Sequence, residues 1–286
     1  MKTYAKTLSG KAKIAGVMGW PVAHSRSPRL HGYWLQRYDI DGICVPMPVQ
    51  PENFADALRA LPKLGFAGTN VTVPHKEAAL AAVDEADATA RRIGAVNTVV
   101  VREDGSLLGS NTDAFGFIEN VVNTLPDWRA NAGPAVVIGA GGAARAVIVA
   151  LLDAGAPSIH LCNRTEARAE ALADEFGPAI SVQPWASRNE ALGDAATVVN
   201  TTSLGMTGQP ALDVDLHDLS ITAMVTDIVY SPLRTALLQA AETRGNAVVD
   251  GLGMLLHQAR PGFAAWFGVE PEVDTALRDH VLSDDA

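Results

Sequence analysis

The chain has 286 residues, 48% of them apolar and 19% charged, which is enough to build one large core or two modest ones. A formal charge of −10, with no run of Lys and Arg, argues against a nucleic acid or an anionic membrane as partner. Cys44 and Cys162 lie far apart without CxxC spacing; they are expected as two buried thiols, with a disulfide as the alternative.

Lysines at positions 2, 6, 11 and 13 precede no apolar stretch, so no signal peptide is expected and the chain reads as cytoplasmic. Short β-branched runs at 13–18, 68–73, 96–101, 135–138, 158–162, 197–200, 224–227 and 246–249 are expected as strands. Ala- and Leu-rich stretches at 77–89, 143–154, 166–176 and 232–244 are expected as helices between them. That alternation implies βαβ units, parallel pairing and the α/β class. Between them, Asn111-Thr112-Asp113 can cap a helix to residue 125, and a proline-bearing segment at 126–134 then reads as a linker. Residues 251–265 read as a helix with no strand after it, which must find a host elsewhere, and residues 283–286 look frayed. The window 135–152 is apolar enough to suggest a membrane span, but Gly139, Gly141, Gly142 and Arg145 interrupt it. Strand, glycine turn and buried helix is the better reading.

That window holds the strongest local signal. Val136-Val137-Ile138 runs into Gly139-Ala140-Gly141-Gly142-Ala143-Ala144, a GxGxxA pattern between a strand and a helix. Gly139 permits a tight turn, Gly141 a close approach of backbone to a pyrophosphate, and Ala144 close packing of helix on sheet. The helix start then offers its N–H groups and positive dipole end to the anion. A glycine turn serving only packing is the alternative. NAD binders usually carry a carboxylate for the ribose 2′-hydroxyl at the end of the next strand, roughly 20 residues on; in this chain that strand runs into Asn163, 24 residues after Gly139. Here the tip reads Asn163-Arg164-Thr165, with Arg168 following on the same face if Thr165 caps the helix. Two guanidiniums suit a 2′-phosphate and so NADP(H), unless both merely pair with Glu166, Glu170 or solvent.

The first half carries polar residues in awkward places. Asn70 and Thr72 share a face of one strand, Pro74 ends it, and Lys76 opens a helix. Asn97 and the Asn111-Thr112-Asp113 run follow, and Ser25 and Ser27 sit in a turn before a helix. Taken singly, each has a plain structural reading: Ser25, Ser27 and Asp113 as caps, Asn97 at a bulge, Lys76 as a solvated lysine. Taken as a set, they offer a Lys–Asp pair to a developing alkoxide, with hydroxyls and amides suited to a polyol. The seven histidines show no HExxH or other ligand spacing, so no metal is expected, and His24 and His31 read as structural.

In order along the chain, residues 19–30 (GWPVAHSRSPRL), 70–76 (NVTVPHK), 94–98 (GAVNT), 111–113 (NTD), 139–143 (GAGGA), 163–168 (NRTEAR), 200–206 (NTTSLGM), 227–233 (DIVYSPL) and 251–258 (GLGMLLHQ) resemble the shikimate dehydrogenase family. The resemblance implies two α/β domains separated by a cleft, the second a Rossmann-type doubly wound parallel sheet. It places residues 1–112 with 251–286 in a substrate-binding catalytic domain and 113–250 in the NADP-binding domain. It implies NADPH-dependent reduction of 3-dehydroshikimate to shikimate, with Lys76 and Asp113 catalytic. Ser25, Ser27 and Tyr230 would hold the substrate carboxylate, and Asn70, Thr72, Asn97, Asp113 and Gln258 its hydroxyls. Gly139, Ala140, Gly141, Gly142, Ala143, Asn163, Arg164, Thr165 and Arg168 would hold the dinucleotide, with Ile228 and Gly251 near the nicotinamide. Ala114 and His75 depart from the family pattern, where glycine and an aromatic are common. The alternatives are a quinate/shikimate dehydrogenase using NAD, or a dinucleotide sensor without catalysis. Monomer and homodimer remain open.

Overall fold

The computed structural model describes residues 7–283. The readings of the first residues as lacking an apolar leader and of 284–286 as frayed fall outside them. The chain forms two compact units, Met1–Thr112 with Gln258–Ala286, and Asp113–His257.

The first unit is built on β1 (Lys13–Gly19), α1 (Ser27–Arg37), β2 (Gly42–Pro48), α2 (Phe54–Ala60), β3 (Phe66–Val71), α3 (Lys76–Ala82), β4 (Glu85–Ala86), α4 (Ala88–Ile93), β5 (Thr98–Val101) and β6 (Leu107–Ser110). The sheet order is β2-β1-β3-β5-β6-β4. Its β1–β2 and β1–β3 pairs are parallel, as the alternation implied, but β5 runs antiparallel to both β3 and β6. A tight connection between β5 and β6, closed by Gly105 at φ 82°, makes that reversal possible without a crossover.

The single helix expected at 77–89 is two. Asp84 leaves the helical path, donating its N–H to Leu107 O at 3.1 Å and accepting the Leu107 N–H on its carboxylate at 2.8 Å, so Glu85–Ala86 pairs with β6. Asp87 then caps α4 by accepting from Ala90 N–H at 2.6 Å, and Gly94 closes it in the left-handed region. Short acids favour such caps over helix interiors because they compete for backbone N–H groups.

The second unit comprises α5 (Asp113–Thr124), β7 (Ala135–Ile138), α6 (Gly142–Asp153), β8 (Ile159–Cys162), α7 (Glu166–Phe176), β9 (Ile180–Gln183), β10 (Thr197–Asn200), β11 (Met224–Asp227), α8 (Ala236–Arg244) and β12 (Ala247–Val249). Every pairing is parallel, in the order β12-β11-β10-β7-β8-β9. This is the doubly wound Rossmann order, whose reversal point lies between β7 and β10. All four residues of β7 are buried, which is why that strand reads as an uninterrupted apolar run.

A long helix, α9 (Leu252–Phe267), and a short one, α10 (Thr275–Leu282), complete the chain. The later part of α9 belongs to the first unit. There Phe263 stacks on His31 and meets Trp34 edge-on, and Trp266 donates its indole N–H to Val99 O at 3.0 Å. α10 is capped by Asp274 and held by Arg26 and Arg29, which donate to Val281 O and His280 O.

Cys44 and Cys162 are unpaired and buried, one in each unit, and burial pushes their thiols up to about 12 and about 11. Among the described residues no helix is long and apolar enough to cross a membrane, and no cluster of His, Cys, Asp or Glu could hold a metal.

Candidate active site

In the second unit the glycine turn lies at the sheet's reversal point, after β7 and beside the end of β10. Gly139 adopts φ 112°, and a Cβ there would stand 2.6 Å from Thr201 Oγ1 and 2.9 Å from Thr202 Cγ2. Only glycine fits that turn. Thr201, the residue after β10, closes it, with its N–H and its hydroxyl both donating to Ile138 O at 2.8 Å. Beyond the turn the chain opens: a Cβ at Gly141 or Gly142 would meet nothing within 4 Å. Gly141 is the N-cap of α6, and no side chain caps that helix, so its first N–H groups are not taken by a capping side chain. Ala143 follows half-buried, and Ala144 is fully buried against the sheet. An uncapped helix start beside open glycine backbone fits a pyrophosphate.

Asn163 ties the tip of β8 to this loop. Its side-chain oxygen accepts from Ala140 N–H at 3.1 Å, and its amide donates to Thr165 O at 2.7 Å. Thr165 stands at the N-cap of α7, and its hydroxyl makes no capping bond. The backbone at φ −99°, ψ 97° already directs the helix, so the hydroxyl is left available. Arg164 and Arg168 are exposed, and neither side chain has a hydrogen-bond or ion-pair partner among the described residues. The pairing with Glu166 or Glu170 that would explain them as surface residues is therefore missing.

Two further strand ends support the same edge of the second unit. Asp227 is fully buried at the end of β11. Burial raises its pKa, opposed by hydrogen bonds from Val229 N–H (3.0 Å), Thr235 hydroxyl (2.8 Å) and Asn200 amide (3.0 Å). Asn200 also accepts from Thr202, and its carbonyl receives Ile228 N–H at 3.1 Å. Ile228 is thereby fixed against Gly251, where any Cβ would strike the Ile228 carbonyl. Tyr230 lies two residues further on, half-buried, and Asp113 is the nearly buried first residue of α5. Sequence reasoning assigned no role to Asp227, Asn200 or Thr201, although all three lie at strand ends facing the glycine turn's edge of the sheet.

In the first unit, Asn70, Asn97 and Gln258 are brought into one buried network. Asn70 donates to Asn97 O (3.3 Å) and to Thr98 Oγ1 (3.2 Å). Asn97 donates to Thr112 Oγ1 (3.0 Å) and Gln258 Oε1 (3.4 Å), while its own oxygen accepts from Thr98 hydroxyl and Thr112 N–H. Thr112 hydroxyl donates to Gln258 O at 2.8 Å, which fixes the start of the first unit's share of α9. Asn97 is thus no bulge residue but a junction of three elements. The signal for Thr98 and Thr112 was their place beside quoted asparagines.

Thr72 falls one residue past the end of β3, with its N–H on Met18 O. Val73 and Pro74 are exposed, and Lys76 is the half-buried first residue of α3. The His75 ring is buried, stacked on Phe54 at 4.4 Å and bonded to Val49 O at 2.8 Å. It anchors the backbone that carries Lys76. Ser25 and Ser27 precede and open α1, whose N-terminus has no side-chain cap. Ser25 Oγ instead accepts from Ser27 N–H at 3.3 Å, so neither serine is spent on capping.

Residues 17–99 match the model of the shikimate dehydrogenase substrate binding domain, and 124–207 that of shikimate / quinate 5-dehydrogenase. A protein of Paramagnetospirillum magneticum named shikimate dehydrogenase (NADP(+)) is 60% identical over 96% of this chain and all of its own length. The chain belongs to the shikimate dehydrogenase family. Among solved members, shikimate 5-dehydrogenase from Thermus thermophilus in complex with NADP(H) and shikimate has a TM-score of 0.84 at 36% identity. The alignment covers 94% of this chain and 98% of that one. Quinate dehydrogenase from Corynebacterium glutamicum in complex with NAD has a TM-score of 0.88 at 31% identity, over 95% and 99%. Solved relatives of this chain thus include an NADP(H) complex and an NAD complex, and both a shikimate and a quinate dehydrogenase.

Proposed function

We propose that this chain catalyses the reversible NADPH-dependent reduction of 3-dehydroshikimate to shikimate, a cytoplasmic step of chorismate and aromatic amino-acid biosynthesis. The observation that carries the reading is the 60% identity, end to end, with a relative named shikimate dehydrogenase (NADP(+)). Partnerless Arg164 and Arg168, with no carboxylate at the β8 tip, support NADP over NAD.

When bound, the nicotinamide supplies the hydride; the protein's part is positioning and charge. We assign the first unit to the substrate and the second to the dinucleotide. Lys76 holds or delivers a proton at the ketone oxygen as negative charge grows there, and Asp113 accepts from a substrate hydroxyl. Ser25, Ser27 and Tyr230 take the carboxylate, and Asn70, Thr72, Asn97 and Gln258 the hydroxyls. Gly139 to Ala143 receive the pyrophosphate. Asn163, Arg164, Thr165 and Arg168 surround the 2′-phosphate, and Ile228 and Gly251 bound the nicotinamide.

The test is loss of NADPH absorbance with 3-dehydroshikimate, run beside quinate and shikimate oxidation with NADP and with NAD. Turnover with the shikimate pair and NADP is expected. Preferred oxidation of quinate with NAD would assign the chain to the quinate branch, and tight NADPH binding without any turnover to a sensor. Lys76→Ala should lower kcat about 10²-fold or more while changing KM much less; near-normal kcat would remove Lys76 from the reaction.

A further inference from the structure

His31 lies on α1 one helical turn after Ser27, on the same face, and is fully buried. Its ring stacks on Phe263 at 5.9 Å and packs against Trp34 and Trp266. One polar contact relieves that apolar setting: Nε2 meets Asn70 Oδ1 at 3.2 Å, across 39 positions of sequence. Nδ1 is buried with no hydrogen-bond partner.

The direction of the Nε2 contact follows from the other side of Asn70. Both amide hydrogens of Asn70 are engaged, one by the Asn97 carbonyl and one by Thr98 Oγ1. The carbonyl can only accept, so the amide cannot be turned round, and Oδ1 must face the histidine. His31 therefore carries its proton on Nε2 and donates it. The leftover Nδ1 is an unprotonated acceptor, which is cheaper to bury alone than a donor or a charge. Desolvation holds the ring's pKa down at about 4, so the imidazole stays neutral at working pH.

We infer that His31 is a positioning residue: its Nε2–H locks the Asn70 amide so that the side chain offers a ligand one thing only, the remaining lone pair of Oδ1. A ligand atom bound there must be a donor, an alcohol hydroxyl rather than a ketone, ether or deprotonated oxygen. The subsite thus reads a hydroxyl that stays a hydroxyl through the reaction, and would reject the ketone carbon's oxygen from that position. This rests on the proposed substrate reading insofar as Asn70 contacts the substrate.

The experiment has two independent arms. In the first, nitrogen-15 NMR of the intact protein at neutral pH reads the His31 tautomer, and the Asn70 amide signals report their exchange protection. A neutral ring protonated on Nε2 is expected, with slow Asn70 exchange that becomes fast in His31→Leu. A ring protonated on Nδ1, or charged, would overturn the inference whatever the enzyme's substrate. In the second arm, His31→Leu should raise KM for the acid substrate about five- to tenfold with KM for NADP unchanged and kcat altered less. His31→Gln, whose amide nitrogen reaches the place of Nε2, should restore it. In an Asn70→Ala background the His31→Leu effect on KM should vanish. Equal damage by Leu and Gln, seen as lost kcat or lost folding with KM unchanged, would reduce His31 to a core residue. Absence of wild-type turnover would instead count against the proposed function, leaving the NMR arm to decide the role of His31.

Discussion

Asn163 accepts the backbone N–H of Ala140 at 3.1 Å, so the glycine loop after β7 is held by the tip of the neighbouring strand. The same side chain donates to Thr165 O at 2.7 Å, at the point where Arg164 and Arg168 diverge. One residue therefore sets the spacing between the proposed pyrophosphate and 2′-phosphate contacts. Asn163→Ala removes both bonds, together worth about 1–3 kcal/mol. It should raise KM for NADPH roughly tenfold in steady-state assays and leave KM for the acid substrate unchanged.

The glycines of that loop do different jobs, and alanine should separate them. At Gly139 a Cβ meets Thr201 and Thr202 while φ stays at 112°, so Gly139→Ala should cost about 2–4 kcal/mol in chemical denaturation. At Gly141 a Cβ meets only open space. Gly141→Ala should unfold with the wild-type midpoint, yet raise KM for NADPH about tenfold or more, because the methyl occupies the approach to the pyrophosphate. Normal cofactor binding by that variant would move the dinucleotide elsewhere.

Charge-assisted hydrogen bonds to phosphate are worth about 1.5–3 kcal/mol each. Replacing Arg164 or Arg168 by Ala should then lower kcat/KM with NADPH about tenfold or more and leave kcat/KM with NADH nearly unchanged. Equal losses with both cofactors would show that the guanidiniums serve something other than the 2′-phosphate.

His31 also makes stability depend on pH. Burial lowers its pKa from 6.5 to about 4, so between those values the unfolded chain binds a proton that the folded chain refuses. The stabilisation is complete above pH 6.5 and lost as pH falls toward about 4, on the order of 3 kcal/mol in all. His31→Gln has no such proton to lose. The unfolding free energy of wild type minus that of the variant should therefore shrink from pH 7 to pH 4.5. A difference independent of pH would mean that the ring is solvated or already charged.

The second unit was largely readable because its central strands are buried on both faces and so appear as unbroken apolar runs between glycine turns. The first was harder, for local reasons. β2 reads GICVPMP, and Pro46 and Pro48 disguise a strand that survives because it lies at the sheet's edge. At 77–89 apolar periodicity ran across Asp84 and Asp87, whose turn and cap end one helix and start another. The site residues were legible as kinds of chemistry; the partners that orient them were not. Nothing in a solitary histidine on α1 announces an asparagine 39 residues away, and Asp227 reads as an ordinary strand-end acid until its three donors are seen.

Both native thiols are sheltered and hard to ionise, Cys44 on β2 of the first sheet and Cys162 on β8 of the second. With only two cysteines in the chain, one engineered onto the surface would react alone with maleimides or spin labels at neutral pH. Pairs of reporters, one per unit, could thus be attached without first deleting anything from the natural sequence, and the distance between them followed as ligands bind.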